Sequence, residues 1–288
     1  MALSEFAKPP VTIADARAFL DTHHRQRVEN LEAFSTGFWS AAFGYEADGT
    51  RLVARFGRNR EWYEVDQAAH GYDTDGLPVP RVVEIGTVAD DVVFAISERK
   101  DGVFLEDVND PQLAPLVSQL LDALRAAPLL DKPEYTWRSW LAAGLDPNGR
   151  NAPWRKLVAR DPIAGPIADR VDARIAQLLD EVPEKQELFH GDLVHKNVLV
   201  AEDLSSINAV FSWKCSGRGD ALFDLAWLTF WSPWYPGIAA LGLKPNDQDA
   251  KLHHIYELHI GATHLNWYGQ VEDKVNLHKV AHEIERRL

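Results

Sequence analysis

The sequence predicts an α+β fold in which a β-rich lobe precedes a mainly helical one. Three observations carry this. Short segments of alternating polar and apolar residues, separated by turn signals, crowd the first third of the chain. Beyond Ser97, apolar residues recur three and four apart over long stretches. The 288 residues are 46% hydrophobic and 25% charged, enough apolar mass for a packed core and unlike a disordered or coiled-coil chain.

The elements follow in order. Thr12 can cap a helix that runs through Phe19 and Leu20, with Asp15 favourable in its first turn. Leu31 to Ser35, Ala41 to Glu46 and Leu52 to Phe56 read as strands, the last two joined by an Asp48-Gly49 hairpin turn. Glu61 to Tyr72 reads as a helix, ended by Leu77-Pro78-Val79-Pro80. Arg81 to Ile85 and Val92 to Ser97 pair around Asp90-Asp91. The first third is therefore a five-stranded antiparallel sheet with one helix inserted after its third strand. Leu113, Val117, Leu120 and Leu124 mark one later helix, and Ile167, Val171, Ile175 and Leu178 mark another. Strand-like runs return only at Leu188-Phe189, Val198 to Val200 and Ala209 to Phe211, and the chain from Asp224 onward reads as mainly helical.

Charge narrows the partners. The chain has 43 Asp and Glu against 30 Lys and Arg, a net charge of −13, which repels phosphate backbones and anionic lipid. Nucleic acid and membrane surface are disfavoured as partners, and a cationic small molecule suits the charge. One cysteine, Cys215, excludes an intrachain disulfide and a cysteine-built zinc cluster. The N-terminus from Met1 to Phe6 lacks a basic segment followed by an apolar run, so a cytoplasmic protein is expected. Leu225 to Leu243 carries no charge, but Pro233, Pro236 and Gly237 interrupt it. It reads as a buried helix followed by an apolar loop. Nothing in the sequence sets an oligomeric state.

The densest chemical signal is His190-Gly191-Asp192-Leu193-Val194-His195-Lys196-Asn197, directly before the apolar run Val198-Leu199-Val200. A carboxylate and an amide five residues apart on a loop before a strand can converge on one point. The carboxylate can take a proton from a hydroxyl, and the amide oxygen can ligate Mg²⁺. Gly219-Asp220 and Asp224-Leu225-Ala226 then open a helix. His190 reads as a loop-holding hydrogen-bonding group. Asp224 reads as a helix cap or loop brace. His253, His254, His259 and His264 have spacings that do not suit a metal site.

These residues resemble the aminoglycoside phosphotransferase family, whose fold is similar to that of protein kinases. The family loop H-G-D-x-x-x-x-N matches His190, Gly191, Asp192 and Asn197. The family helix start G-D-x-x-x-D-L-A matches Gly219, Asp220, Asp224, Leu225 and Ala226. Leu77-Pro78-Val79-Pro80 resembles its L-P-x-P turn. The resemblance implies a kinase-like bilobal fold, with a nucleotide-binding lobe at 1–97 and a helical lobe at 98–288 that holds the catalytic loop and acceptor site. It implies ATP or GTP and Mg²⁺ as cofactors. The expected activity is transfer of a phosphoryl group to a hydroxyl of a cationic acceptor such as an aminoglycoside antibiotic. Asp192 would be the base and Asn197 a metal ligand. Arg55 stands where kinases usually carry the phosphate-pairing Lys. Its acidic partner is open, since Glu64 and Asp66 straddle the expected position, with Val65 between them. Ser35, Gly37 and Ser40 lie where a phosphate-covering loop is expected. Ser97, Glu98 and Arg99 would offer backbone hydrogen bonds to adenine.

One departure stands out. The family resemblance implies an Asp at the end of the strand after the catalytic loop, and this chain has Ser212 in Phe211-Ser212-Trp213. A hydroxyl is a neutral and weaker Mg²⁺ ligand than a carboxylate. Losing that charge raises the barrier to phosphoryl transfer unless another group compensates, and nucleotide binding without transfer is the alternative outcome.

Overall fold

The computed structural model describes residues 8–34, 37–89, 91–128, 130, 134–146 and 152–288. Ser35, Asp90 and the segment Met1–Phe6 lie outside them. The elements are α1 (Ile13–His23), β1 (Glu29–Phe34), β2 (Ala41–Ala47), β3 (Thr50–Gly57), α2 (Arg60–Ala69), β4 (Val82–Ala89), β5 (Val92–Glu98), β6 (Val103–Phe104), α3 (Ala114–Ala126), α4 (Trp137–Leu145), α5 (Ala152–Val158), α6 (Ala164–Leu178), β7 (Glu187–Phe189), β8 (Val198–Val200), β9 (Ile207–Val210), β10 (Gly217–Gly219), α7 (Leu222–Trp231), α8 (Pro236–Ala240), α9 (Ala250–Gln270) and α10 (Lys274–Arg287).

The chain forms two compact units. The first holds residues 1–105 together with 195–215, and the second holds 106–194 and 216–288. Strand order in the first unit is β1-β2-β3-β5-β4, antiparallel throughout, as the strand pattern predicts. Thr12 caps α1 in a reciprocal capping box with Asp15. The Asp48-Gly49 turn closes the β2–β3 hairpin, with Ala47 opposite Thr50. Both turn residues have positive φ, 50° and 71°. This is the left-handed pair that a two-residue hairpin with the right strand twist requires. Leu20, Tyr45, Phe56 and Ile96 are buried beneath the sheet, and Phe19 of α1 packs against Phe56 and Phe94. A second small sheet, β6-β8-β9, belongs to the same unit. The two-residue β6 is too short for its pattern to be visible in sequence.

The second unit is built around α9, 21 residues long and buried on most of its faces. Helices α5, α6, α7 and α10 pack against it. An aromatic cluster of Trp137, Trp140, Phe189, Phe223 and Tyr256 fills the space beside it, with ring centroids 5.1–5.8 Å apart. Leu225 to Leu243 divides into most of α7, a single tight turn and α8, and no described helix is long and apolar enough to cross a membrane.

His259 lies in this aromatic cluster, and its Nε2 lies 3.0 Å from the Leu141 carbonyl. Burial lowers its pKa from 6.5 to about 4, because a charge there would be stripped of water. A depressed histidine pKa makes the folded state more stable at neutral pH. That stability is fully present above pH 6.5 and is lost as pH falls towards 4, to the extent of roughly 3 kcal/mol. Urea unfolding at pH 7 and at pH 4.5 is expected to show a smaller stability loss for His259→Gln than for the native chain. Equal losses in the two proteins would contradict this account.

Candidate active site

In the first unit, the third strand delivers Arg55 to the carboxylate of Asp66 on α2, with Nη1 2.6 Å from Oδ2. The guanidinium also lies 5.0 Å from the centroid of the Tyr63 ring. The other oxygen of Asp66 accepts the backbone N–H of Trp213 at 2.8 Å. Trp213 is itself buried, donates its indole N–H to the Val210 carbonyl and packs 5.6 Å from Tyr72. Asp66 therefore ties three segments together: β3, α2 and the turn after β9. Burial opposes the charge on Arg55, but the Asp66 carboxylate and Tyr63 together outweigh it and hold the guanidinium pKa above its usual value. The Arg55 Nε is buried with no protein acceptor.

The partner of Arg55 is thus Asp66 and not Glu64. Residues two apart on a helix point away from each other. Glu64 faces solvent and pairs with Arg60 at 2.8 Å, so it is withdrawn from the set of nucleotide-site residues.

Asn197 and Ser212 come to the same end of the β8–β9 pair. Val198 lies opposite Val210, and the Phe211 N–H donates to the Asn197 carbonyl at 2.8 Å. His195 and Lys196 precede Asn197 in successive left-handed conformations, φ 60° and 67°. Ser212 has φ 65°, a region that Asn, Asp and Gly tolerate better than Ser. The Asn197 amide oxygen and the Ser212 hydroxyl oxygen are hard donors of the kind Mg²⁺ takes, but both are neutral. Among the described residues no group of three or more His, Cys, Asp or Glu could hold a metal. This donor set fits an ion whose charge is already met by nucleotide phosphates.

The remaining expectations for this unit divide. Gly37 has φ 108°, and a Cβ there would stand 2.8 Å from the Ser40 carbonyl oxygen, so the turn to Ser40 requires glycine. Ser97 is buried within β5, between Val53 and Val82. The backbone N–H groups of Glu98 and Arg99 are already spent on the Arg81 and Arg51 carbonyls, at 3.0 and 3.1 Å. The Arg99 side chain is engaged by Glu32 and by the face of Phe34. Neither Glu98 nor Arg99 can donate its N–H to adenine, because strand pairing continues one residue further than the sequence pattern suggests.

In the second unit, the loop carrying Asp192 is held by Asp224 in the first turn of α7. Its two oxygens accept the N–H groups of His190 and Gly191, at 2.7 and 2.8 Å. Gly191 turns with φ 74°. The Asp192 N–H points to His190 Nδ1 at 3.2 Å, so that nitrogen is the acceptor and the ring proton sits on Nε2. His190 and Asp224 are fully buried, as expected for structural groups. Burial pushes the Asp224 pKa up to about 7, against the two N–H donors, and the nearby Asp192 charge adds to the rise. Asp220 braces the same region, bonded to Lys185 and to Tyr256 Oη.

Three residues of the same unit as Asp192 have no sequence motif to announce them. Tyr235 is pushed up by burial and by the charges of Glu106 and Asp192. Tyr268 is pushed up to about 12 by burial, with Asp273 and Asp192 contributing. Glu106 itself is buried. The Asp192 charge is thus felt at both phenols, and the Glu106 charge at Tyr235, while both phenols stay neutral at pH 7.

Breaking this largely buried ion pair from the Asp66 side leaves the half-buried Arg55 charge without its partner. Asp66→Ala is expected to cost about 3 kcal/mol in urea unfolding at neutral pH. A loss below about 1 kcal/mol, the range of surface pairs, would contradict the central role given to Asp66.

Comparison with known proteins places this geometry. A family model described as "Phosphotransferase enzyme family" (APH) matches residues 34–250. The chain is 28% identical over 250 residues to the hygromycin-B 4-O-kinase of Escherichia coli, covering 79% of this chain and 69% of that one. The crystal structure of aminoglycoside phosphotransferase APH(4)-Ia superposes with a TM-score of 0.84 at 22% identity, over 96% of this chain and 98% of that one. A thermostable mutant of it, in ternary complex with AMP-PNP and hygromycin B, gives 0.83 at 23%, over 94% and 97%. The GDP complex of wild-type aminoglycoside 2′-phosphotransferase-IIIa gives 0.62 at 14%, over 96% and 98%. The match to the family model spans most of the chain, and the chain belongs to the phosphotransferase enzyme family, APH.

Proposed function

We propose that this chain transfers the γ-phosphoryl group of a nucleoside triphosphate to a hydroxyl of a polycationic aminoglycoside, hygromycin B being the first candidate. The observation that carries the reading is the Asp192 loop, fixed by two N–H bonds to the buried Asp224. A carboxylate so held is pre-organised to accept the acceptor's hydroxyl proton. Arg55, paired with Asp66, steadies the phosphates. Asn197 and Ser212 would be the protein oxygen donors to a Mg²⁺ ion arriving with the nucleotide, whose chemistry is to neutralise phosphate charge. The Asp192 and Glu106 carboxylates attract ammonium groups of the acceptor. The likeness to the hygromycin-B kinase, and the AMP-PNP, ADP and hygromycin B held by the APH(4)-Ia complexes, support nucleotide and acceptor alike. ATP is the first nucleotide to test and GTP the second. A single cysteine, Cys215, suits work in the cytoplasm.

Ser212 favours a second reading, in which the chain binds nucleotide but transfers phosphate poorly. Ser212→Asp would restore a charged metal ligand in a backbone conformation that Asp tolerates better. A large gain in turnover would support the impaired reading, and robust native turnover without such a gain would remove it.

The direct test is mass spectrometry of an aminoglycoside panel incubated with ATP and the native chain. Hygromycin B is expected to gain one phosphate. Asp192→Ala is expected to reduce turnover by about 10²- to 10⁴-fold, the usual contribution of a positioned base. Unchanged transfer in that variant would overturn the role given to Asp192.

A further inference from the structure

Lys214, two residues after Ser212, sits in an aromatic cage. Its ammonium lies 4.9 Å from the centroid of Trp62 and 5.3 Å from that of Trp39, and the two rings meet edge to face at 5.5 Å. Each cage wall belongs to a part of the phosphate site. Trp62 lies four residues before Asp66, one turn away on the same face of α2. Trp39 sits between Gly37 and Ser40 in the loop that joins β1 to β2. Trp213, which donates its N–H to Asp66, is the chain neighbour of Lys214. The lysine therefore stands beside the Arg55–Asp66 pair, half-buried and held by ring faces.

Charge counting gives this placement a meaning. Arg55 and Lys214 contribute +2, Asp66 contributes −1 and Ser212 contributes nothing, so these four residues sum to +1. A carboxylate at position 212 would bring the sum to zero and leave phosphate neutralisation to metal ions. A carboxylate with a divalent cation carries +1, and so does a serine with a lysine. The cage holds the ammonium by cation–π attraction, which is weak beside a charge-assisted hydrogen bond to phosphate.

We propose that Lys214 is a phosphate-binding residue. Its ammonium leaves the Trp39–Trp62 cage for the terminal phosphates of the nucleotide and, with Arg55, supplies the positive charge that a carboxylate-held metal ion would supply, so that nucleotide binding persists without divalent cations. This rests on the phosphoryl-transfer reading of the same site.

The test is AMP-PNP binding to the full chain by calorimetry, in Mg²⁺ and in EDTA, with tryptophan fluorescence recorded in parallel. In EDTA the native chain is expected to bind within about 10-fold of its Mg²⁺ affinity. Lys214→Ala is expected to weaken binding in EDTA by about 10-fold or more, the size of one lost charge-assisted contact. It is expected to leave AMP binding unchanged, since AMP lacks the terminal phosphates. Lys214→Arg is expected to recover most of the loss. Nucleotide should change the tryptophan emission of the native chain, as the ammonium leaves the two indoles, and change that of Lys214→Ala far less. Binding in Mg²⁺ but not in EDTA would overturn the role of Lys214 and leave the phosphotransfer reading standing, and so would equal EDTA affinities for native and Lys214→Ala. Absence of nucleotide binding under both conditions would sink both.

Discussion

The candidate phosphate site depends on one carboxylate with two hydrogen-bonding directions. Asp66 spends one oxygen on the Arg55 guanidinium and the other on the Trp213 N–H. The first bond pairs a half-buried cation, and the second fixes the turn after β9, with Ser212 and Lys214 on either side of Trp213. Asp66 is the α2 residue that reaches both Arg55 of β3 and the turn.

The second unit solves a parallel problem with a different carboxylate. Asp224 accepts two backbone N–H groups and so fixes the loop in which Asp192 is presented. Burial makes that carboxylate reluctant to ionise, and the loop donors offset the cost. Each unit thus uses a buried aspartate to hold another segment in place: Asp66 the Arg55 side chain and the Trp213 turn, Asp224 the loop of Asp192. The overall charge of −13 gains a local meaning here. Negative charge gathers around Asp192 with Glu106, whereas the Arg55, Asp66, Ser212 and Lys214 set is net positive.

Much of this was legible in the sequence because its signals are local. The Thr12 capping box, the Asp48-Gly49 turn, the alternating strands and the catalytic loop each depend on residues within a few positions of one another. The choice between Glu64 and Asp66 was not legible, because it rests on the phase of α2 against β3. That the N–H groups of Glu98 and Arg99 are taken by strand carbonyls is not visible in sequence, because the edges of a ladder depend on strands far apart in the chain. The Lys214 cage unites residues 39, 62 and 214, and the acidic setting of Asp192 unites residues 106, 235 and 268. No spacing rule links such positions. The short strands β6 and β10 and the helices α4 and α5 were missed for a related reason, since short elements take their stability from neighbours rather than from periodicity.

The account stands on Asp66 acting through Arg55. The most direct measurement is a double-mutant cycle, with nucleotide affinity determined for the native chain, Arg55→Ala, Asp66→Ala and the double variant. If Asp66 presents Arg55 to the phosphates, the double variant should bind no worse than Arg55→Ala alone, giving a coupling of about 1 to 3 kcal/mol. Strictly additive losses would mean that the two residues act on nucleotide independently, and the account would be wrong at its centre.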